Sequence, residues 1–224
     1  MKHINKKEIP FERVLFFSDA IVAIAITLLA LDLRLNLPEG HHLTFNDLLL
    51  PWKNYISFIL SFINIASFWR THHQMYTYIH KMTDRTMSYN IAWVFFIVTL
   101  PFATSLLGTH FGDPAAVFLY SLNIFALSVC QNAIWDSADI KPDFIDTEKL
   151  PDEERQRFRI MFNLDMINGL LCIVLSFFVP KIAFFLLFFK VPVFFFATIY
   201  VARQRHKDVK AKRNNDANEN TVNQ

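Results

Sequence analysis

The sequence predicts an all-α integral membrane protein with six transmembrane helices. Three observations lead there. Of its 224 residues, 53% are hydrophobic and 19% charged, whereas an ordinary soluble domain carries about 25% charged residues. The apolar residues gather into long runs, each close to the roughly 20 residues that cross a bilayer at 1.5 Å rise per residue. The basic residues divide unevenly among the connecting segments. With both termini inside, the inner segments hold Lys2, Lys6, Lys7, Arg13, Arg70, Lys81, Arg85, Lys141, Lys149, Arg155, Arg157, Arg159 and a basic tail, and the outer ones only Arg34, Lys53 and Lys181. That asymmetry predicts a multi-pass cell-membrane protein with both termini cytoplasmic.

Residues 1–203 are expected to form the six-span domain, and 204–224 a cytoplasmic tail, basic and then Asn-rich, too polar to fold. Span one runs from about Phe11 to Arg34 and is broken by Leu37-Pro38-Glu39-Gly40, after which Thr44 to Leu48 can start a short interfacial helix. Span two covers Trp52 to Tyr76. Span three, Met87 to Leu107, contains Pro101, with Thr99, Thr104 and Ser105 placed to satisfy the carbonyls that the proline frees. The turn His110 to Pro114 leads into span four, Ala115 to Trp135. A long acidic loop, Asp136 to Arg157, reads as a solvated connection before span five, Phe158 to Val179. Pro180-Lys181 turns into span six, Ile182 to Ala202, which holds Lys190 and Pro192. The basic N-terminus resembles the start of a signal peptide, but the apolar run that follows is too long, contains Ser-Asp and lacks a small-x-small cleavage site. The first helix is therefore expected to stay in the mature protein.

The first span carries the most informative pattern. At 100° per residue, Arg13, Phe17, Ala20, Ile24, Leu28 and Leu31 share one narrow stripe, with Thr27 beside it and Asp19 well away from it. Ser18 and Asp19 could cap a helix that starts there, with Arg13 marking the membrane edge. A start at Asp19 leaves about 15 residues to Leu33, short for a span. A helix running through the motif fits better, and an ionisable group inside a span, at about 3 kcal/mol by insertion scales, then requires a partner. Arg13 lies on another face, so that partner should come from another helix: Trp69, His72 or His73.

The motif Arg13-x-x-x-Phe17-Ser18-Asp19, followed by an Ala/Ile/Leu helix, resembles the signature first helix of the transmembrane protein 175 family of potassium channels. Trp69-x-x-His72-His73 resembles that family's Trp and His positions. The resemblance implies a homotetramer in which the first helix of each subunit lines the pore. It also implies a constriction of Ile24, Leu28 and Leu31, a hydroxyl beside it at Thr27, and a structural polar network of Arg13, Phe17, Ser18, Asp19, Trp69 and one or both of His72 and His73. Animal members are described as two six-span units in tandem; this chain has one, as prokaryotic members do. The carbonyl filter Thr-Val-Gly-Tyr-Gly is absent from the sequence, so strong selectivity of that type is not expected.

Other chemistries find less support. A net charge of +2 implies no general nucleic-acid surface. Cys130 and Cys172 fall inside spans as small apolar residues. Adjacent His72 and His73 point about 100° apart, which is poor for joint metal ligation. No cofactor is expected beyond permeant K⁺, and no nucleophile or metal constellation suggests an enzyme. A proton-coupled secondary transporter using Asp19 and the histidines is the alternative. Asp165, Asn163 and Asn168 are placed to hydrogen-bond between helices, and Lys190 to pack against a polar neighbour or snorkel to water.

Overall fold

A computed structural model describes residues 11–35, 37–140, 144–145, 150 and 152–189. The tail, Lys190, Pro192 and most of the expected sixth span lie outside them. The described residues are helical throughout, joined by turns and one isolated bridge between Ile79 and Ile145.

Helix α1 spans Phe11–Leu28 and tightens into a 3₁₀ turn, Leu29–Asp32. It opens before Ser18, so the motif sits inside the helix and does not cap it. The chain then turns at Gly40, whose φ of +79° suits a residue without Cβ. The expected interfacial helix is a single 3₁₀ turn, Asp47–Leu49. Helix α2 spans Trp52–Tyr76, with the bounds expected of span two. Helix α3, Asp84–Thr109, opens on Thr83, whose hydroxyl accepts from the Thr86 amide. It continues through Pro101. Thr99 Oγ1 donates to the Phe96 carbonyl at 3.1 Å, Thr104 Oγ1 lies 2.7 Å from the Leu100 carbonyl and Ser105 Oγ donates to Asp32, so the expected hydroxyls bond elsewhere than to the Ile97 carbonyl that the proline frees.

Helix α4, Pro114–Asp139, and α5, Asp152–Phe178, extend further than spans four and five. The acidic loop shortens accordingly, because its ends are ordered by charge. The Asp139 side chain is 3% exposed and accepts from Arg155 Nε and Arg159 Nη2, each at 2.7 Å. This charge-assisted clasp joins the two helices at their polar ends. Nearby, the His80 amide donates to the Phe144 carbonyl at 2.9 Å. Helix α6 begins at Pro180, runs to Leu186 and tightens into a 3₁₀ turn, Leu187–Phe189.

Four described helical stretches are long and apolar enough to cross a membrane: Glu12–Asp32, Asp84–Thr109, Pro114–Asp139 and Glu154–Phe178. Helix α2 has the length, 25 residues, but Lys53, Asn54, Asn64, Arg70, His72 and His73 make it more polar than these four. Its polar side chains turn inward instead: Ser57, Ser61, Asn64, Thr71 and His72 are buried in the bundle. Helix α3 is central. It packs against α1, α2 and α4, and α4 in turn packs against α5. The α4–α5 crossing is close at Gly169, where a Cβ would lie 3.0 Å from the Phe125 Cα.

Candidate functional site

Helix α1 has two faces of opposite character. Val14, Ser18, Val22, Ala25 and Leu29 are buried, at spacings of three and four residues, and form the seam against the bundle. The stripe picked out in the sequence lies on the other side. Phe17 is 55% exposed, Ile24 59%, Leu28 39% and Leu31 56%. Thr27 is exposed beside them, and its hydroxyl donates to the Ile24 carbonyl at 2.7 Å. That bond satisfies the donor and leaves the oxygen lone pairs on the exposed side. A row of apolar side chains therefore faces away from the helix bundle.

Ser18 and Asp19 each reach a different helix. The Ser18 hydroxyl donates to the Val14 carbonyl at 3.0 Å and accepts from Asn90 Nδ2 on α3 at 2.9 Å. Asn90 Oδ1 accepts in turn from His72 Nε2 at 2.8 Å and from the Tyr76 hydroxyl at 3.2 Å. One asparagine thus ties α1 to α3 and α2. His72 is fully buried and stacks on Trp93, with ring centroids 4.2 Å apart. Because Nε2 must donate to the asparagine oxygen, the ring is the Nε2–H tautomer and Nδ1 carries a lone pair. Nδ1 has no hydrogen-bond partner among the described residues.

Asp19 Oδ1 accepts from the Trp69 indole Nε1 at 2.9 Å. A carboxylate on α1 is thereby held by α2 rather than by Arg13. His73 stacks on Trp69 at 5.8 Å between centroids. The two histidines divide: His72 is in the buried hydrogen-bond network, and His73 backs the tryptophan that holds Asp19. Arg13 and Phe17 are exposed and stand apart from these bonds.

Sequence reasoning missed Asn90, Tyr76 and Trp93. A lone asparagine in an otherwise apolar span was the available signal, since an amide placed in hydrocarbon must find partners. Asn168 donates to the Leu186 carbonyl at 3.4 Å, joining α5 to α6. Asp165 is half-buried and Asn163 exposed, while Cys130 and Cys172 are free thiols.

A second polar cluster lies deeper in the bundle. Ser61 Oγ and Asn64 Nδ2 on α2 donate to the Tyr120 hydroxyl of α4 at 3.1 and 3.3 Å, and Thr104 of α3 lies 2.7 Å from Ser61 Oγ. These bonds hold α2, α3 and α4 together without reaching α1.

Residues 13–101, from the motif through most of α3, match the model of the family described as endosomal/lysosomal potassium channel TMEM175. A protein of Streptomyces collinus named a potassium channel is 30% identical over 55% of this chain and 62% of its own length, so the chain spans under two thirds of that relative. One of a Chryseobacterium species, also named a potassium channel, is 29% identical over 75% of this chain and 83% of its own length. Gallus gallus has a relative named an endosomal/lysosomal proton channel TMEM175, 33% identical over 57% of this chain and 28% of that protein. The crystal structure of a TMEM175 homolog from Chamaesiphon minutus has the same fold, with a TM-score of 0.66 at 23% identity over 84% of this chain and 96% of that one. Over residues 13–101, which hold the stripe and most of the two helices that grip its opposite face, the chain is similar to the TMEM175 family, and its fold is that of a TMEM175 homolog.

Proposed function

We propose that the protein is a potassium-permeable cation channel of the cell membrane. It is a homotetramer of six-span subunits with both termini cytoplasmic, and α1 of each subunit lines the axis. The single observation that carries this reading is the exposed row Phe17, Ile24, Leu28 and Leu31 on a helix whose opposite face is fully engaged. Such a row needs a cover, and the family's relatives named potassium channels supply the context. Four copies around an axis would make a narrow apolar neck at Ile24, Leu28 and Leu31. A neck of that kind gates by dewetting, because a narrow greasy passage does not hold the water that hydrates an ion. When it widens slightly, a partly dehydrated cation passes. K⁺ loses water more cheaply than Na⁺, which gives a modest K⁺ preference without a carbonyl filter. The outward lone pairs of Thr27 would replace part of the lost hydration.

Under this reading the polar network serves the pore from behind. Asn90 and Trp69 fix the rotation of α1 through Ser18 and Asp19, and so fix which residues face the axis. A proton-coupled carrier would need a relay from Asp19 to His72. The indole that holds Asp19 donates and cannot accept, so it does not pass a proton on.

The test is purified protein in liposomes under a K⁺ gradient, with internal pH followed in parallel. K⁺ flux without stoichiometric proton exchange is the expected result. Absence of K⁺ flux at every pH and voltage would refute the proposal.

A further inference from the structure

At the Asp32 end of α1, the first three helices frame a half-open cavity of about 350 Å³. That volume is at the small end of ligand sites. It lies where the apolar stretches Glu12–Asp32 and Asp84–Thr109 end, at the level of a membrane surface. Trp52 and Phe111, in edge contact at 5.4 Å, mark the same level, as interfacial aromatic residues do.

The cavity is apolar on one side and charged on the other. Leu29 and Phe58 form the apolar part, and Asp32, Arg34, Asn54 and Ser105 the polar part. Asp32 Oδ1 accepts from Ser105 Oγ at 3.2 Å, and Oδ2 takes no hydrogen bond from another described residue. Arg34 Nε donates to the Leu31 carbonyl at 2.8 Å, which anchors the guanidinium and leaves its two terminal nitrogens to donate. The Asn54 amide lies against bare Gly108, where a Cβ would come within 2.8 Å of Asn54 Oδ1. Only glycine admits the amide to the cavity wall in this position.

One acceptor pair for N–H groups, Asp32 and Asn54, thus stands beside one planar cation suited to phosphate. We propose that this cavity binds a phosphoethanolamine zwitterion, the headgroup of an outer-leaflet phospholipid, with its ammonium on Asp32 and Asn54 and its phosphate on Arg34. A choline headgroup has no N–H for the carboxylate and calls for several aromatic faces, whereas Phe58 is the one aromatic ring among the described residues of the lining. A glycerol headgroup offers phosphate alone and leaves Asp32 beside an uncompensated anion. Leu29 and Phe58 suit the glycerol and upper acyl atoms of a lipid better than a fully solvated ion.

The test is native mass spectrometry of the delipidated, unaltered protein titrated with phosphatidylethanolamine, phosphatidylcholine and phosphatidylglycerol of equal chain length. Phosphatidylethanolamine should be retained roughly tenfold more tightly, the change expected for one charge-assisted hydrogen bond. Asp32→Asn should abolish that preference, and Arg34→Gln should weaken retention of all three lipids, because each carries the phosphate. Free phosphoethanolamine that competes with the lipid and raises the melting temperature would support the same chemistry and identify a soluble source. Equal retention of the three lipids by the unaltered protein, or a preference that survives Asp32→Asn, would overturn the proposal. The lipid comparison needs no variant, so a substitution that fails to fold does not blunt it. The proposal rests on the membrane orientation inferred above and not on K⁺ permeation, which the flux assay tests separately.

Discussion

Asn90 Nδ2 donates to Ser18 Oγ at 2.9 Å, across the interface between α3 and α1. The same side chain accepts from His72 and Tyr76 on α2, so one amide sets the mutual rotation of three helices. Replacing Asn90 by Leu removes all three bonds. Interhelical hydrogen bonds in membranes average about 0.6 kcal/mol each, so Asn90→Leu should cost about 2 kcal/mol, read as a lowered unfolding midpoint in detergent. Ser18→Ala should cost about a third as much. An Asn90→Leu protein as stable as the parent would mean that the network does not hold α1.

The two adjacent histidines should behave differently. His72 is fully buried, bonded to Asn90 and stacked on Trp93. His72→Ala leaves a cavity and removes the shorter of the two bonds to the Asn90 oxygen, and should cost at least about 2 kcal/mol. His73 is exposed on the far side of Trp69, and His73→Ala should cost under about 1 kcal/mol. Thermal unfolding of the two variants side by side checks the order.

The sequence already contained the stripe, its separation from Asp19 and the bounds of α2, because each follows from helical period and apolar run length. It could not choose between His72 and His73, which point about 100° apart until a neighbouring helix is placed. Asn90 went unnoticed for the same reason: period alone does not reveal which helix an isolated amide will meet. The ends of α4 and α5 were set too short, because Asp139, Arg155 and Arg159 look like loop charges until they pair. The stripe itself was legible, but whether a second copy or lipid covers it is decided by assembly, which lies outside a single chain.

The close crossing of α4 and α5 gives a steric prediction. A Cβ at Gly169 would sit 3.0 Å from Phe125 Cα and 3.3 Å from its nitrogen, and backbone cannot swing aside as a side-chain tip can. Gly169→Leu should destabilise the protein by about 1–3 kcal/mol or prevent its assembly, and Gly169→Ala should fall between that variant and the parent. Size-exclusion profiles and unfolding midpoints report both.

The turn before α2 carries a pH dependence. Asp47 accepts from the hydroxyl and amide of Thr44 and lies 2.9 Å from His41 Nε2. These bonds, with the Thr44 hydroxyl foremost, lower its carboxyl from 3.8 to about 2. A lowered folded value means the carboxylate steadies this turn fully above about pH 4 and stops doing so as pH falls toward 2. A carboxyl-carbon NMR titration should give an Asp47 midpoint near 2, and Thr44→Ala should move it up toward the ordinary carboxylate range.

The pore assignment is tested most directly by K⁺ conductance after a polar side chain is placed in the stripe. Ile24→Asn and Leu28→Asn should each raise the K⁺ current of reconstituted protein, because an amide at the narrowest section keeps water there. Currents equal to those of the parent in both variants would remove Ile24 and Leu28 from the conduction path and contradict the assignment of α1 as the pore-lining helix.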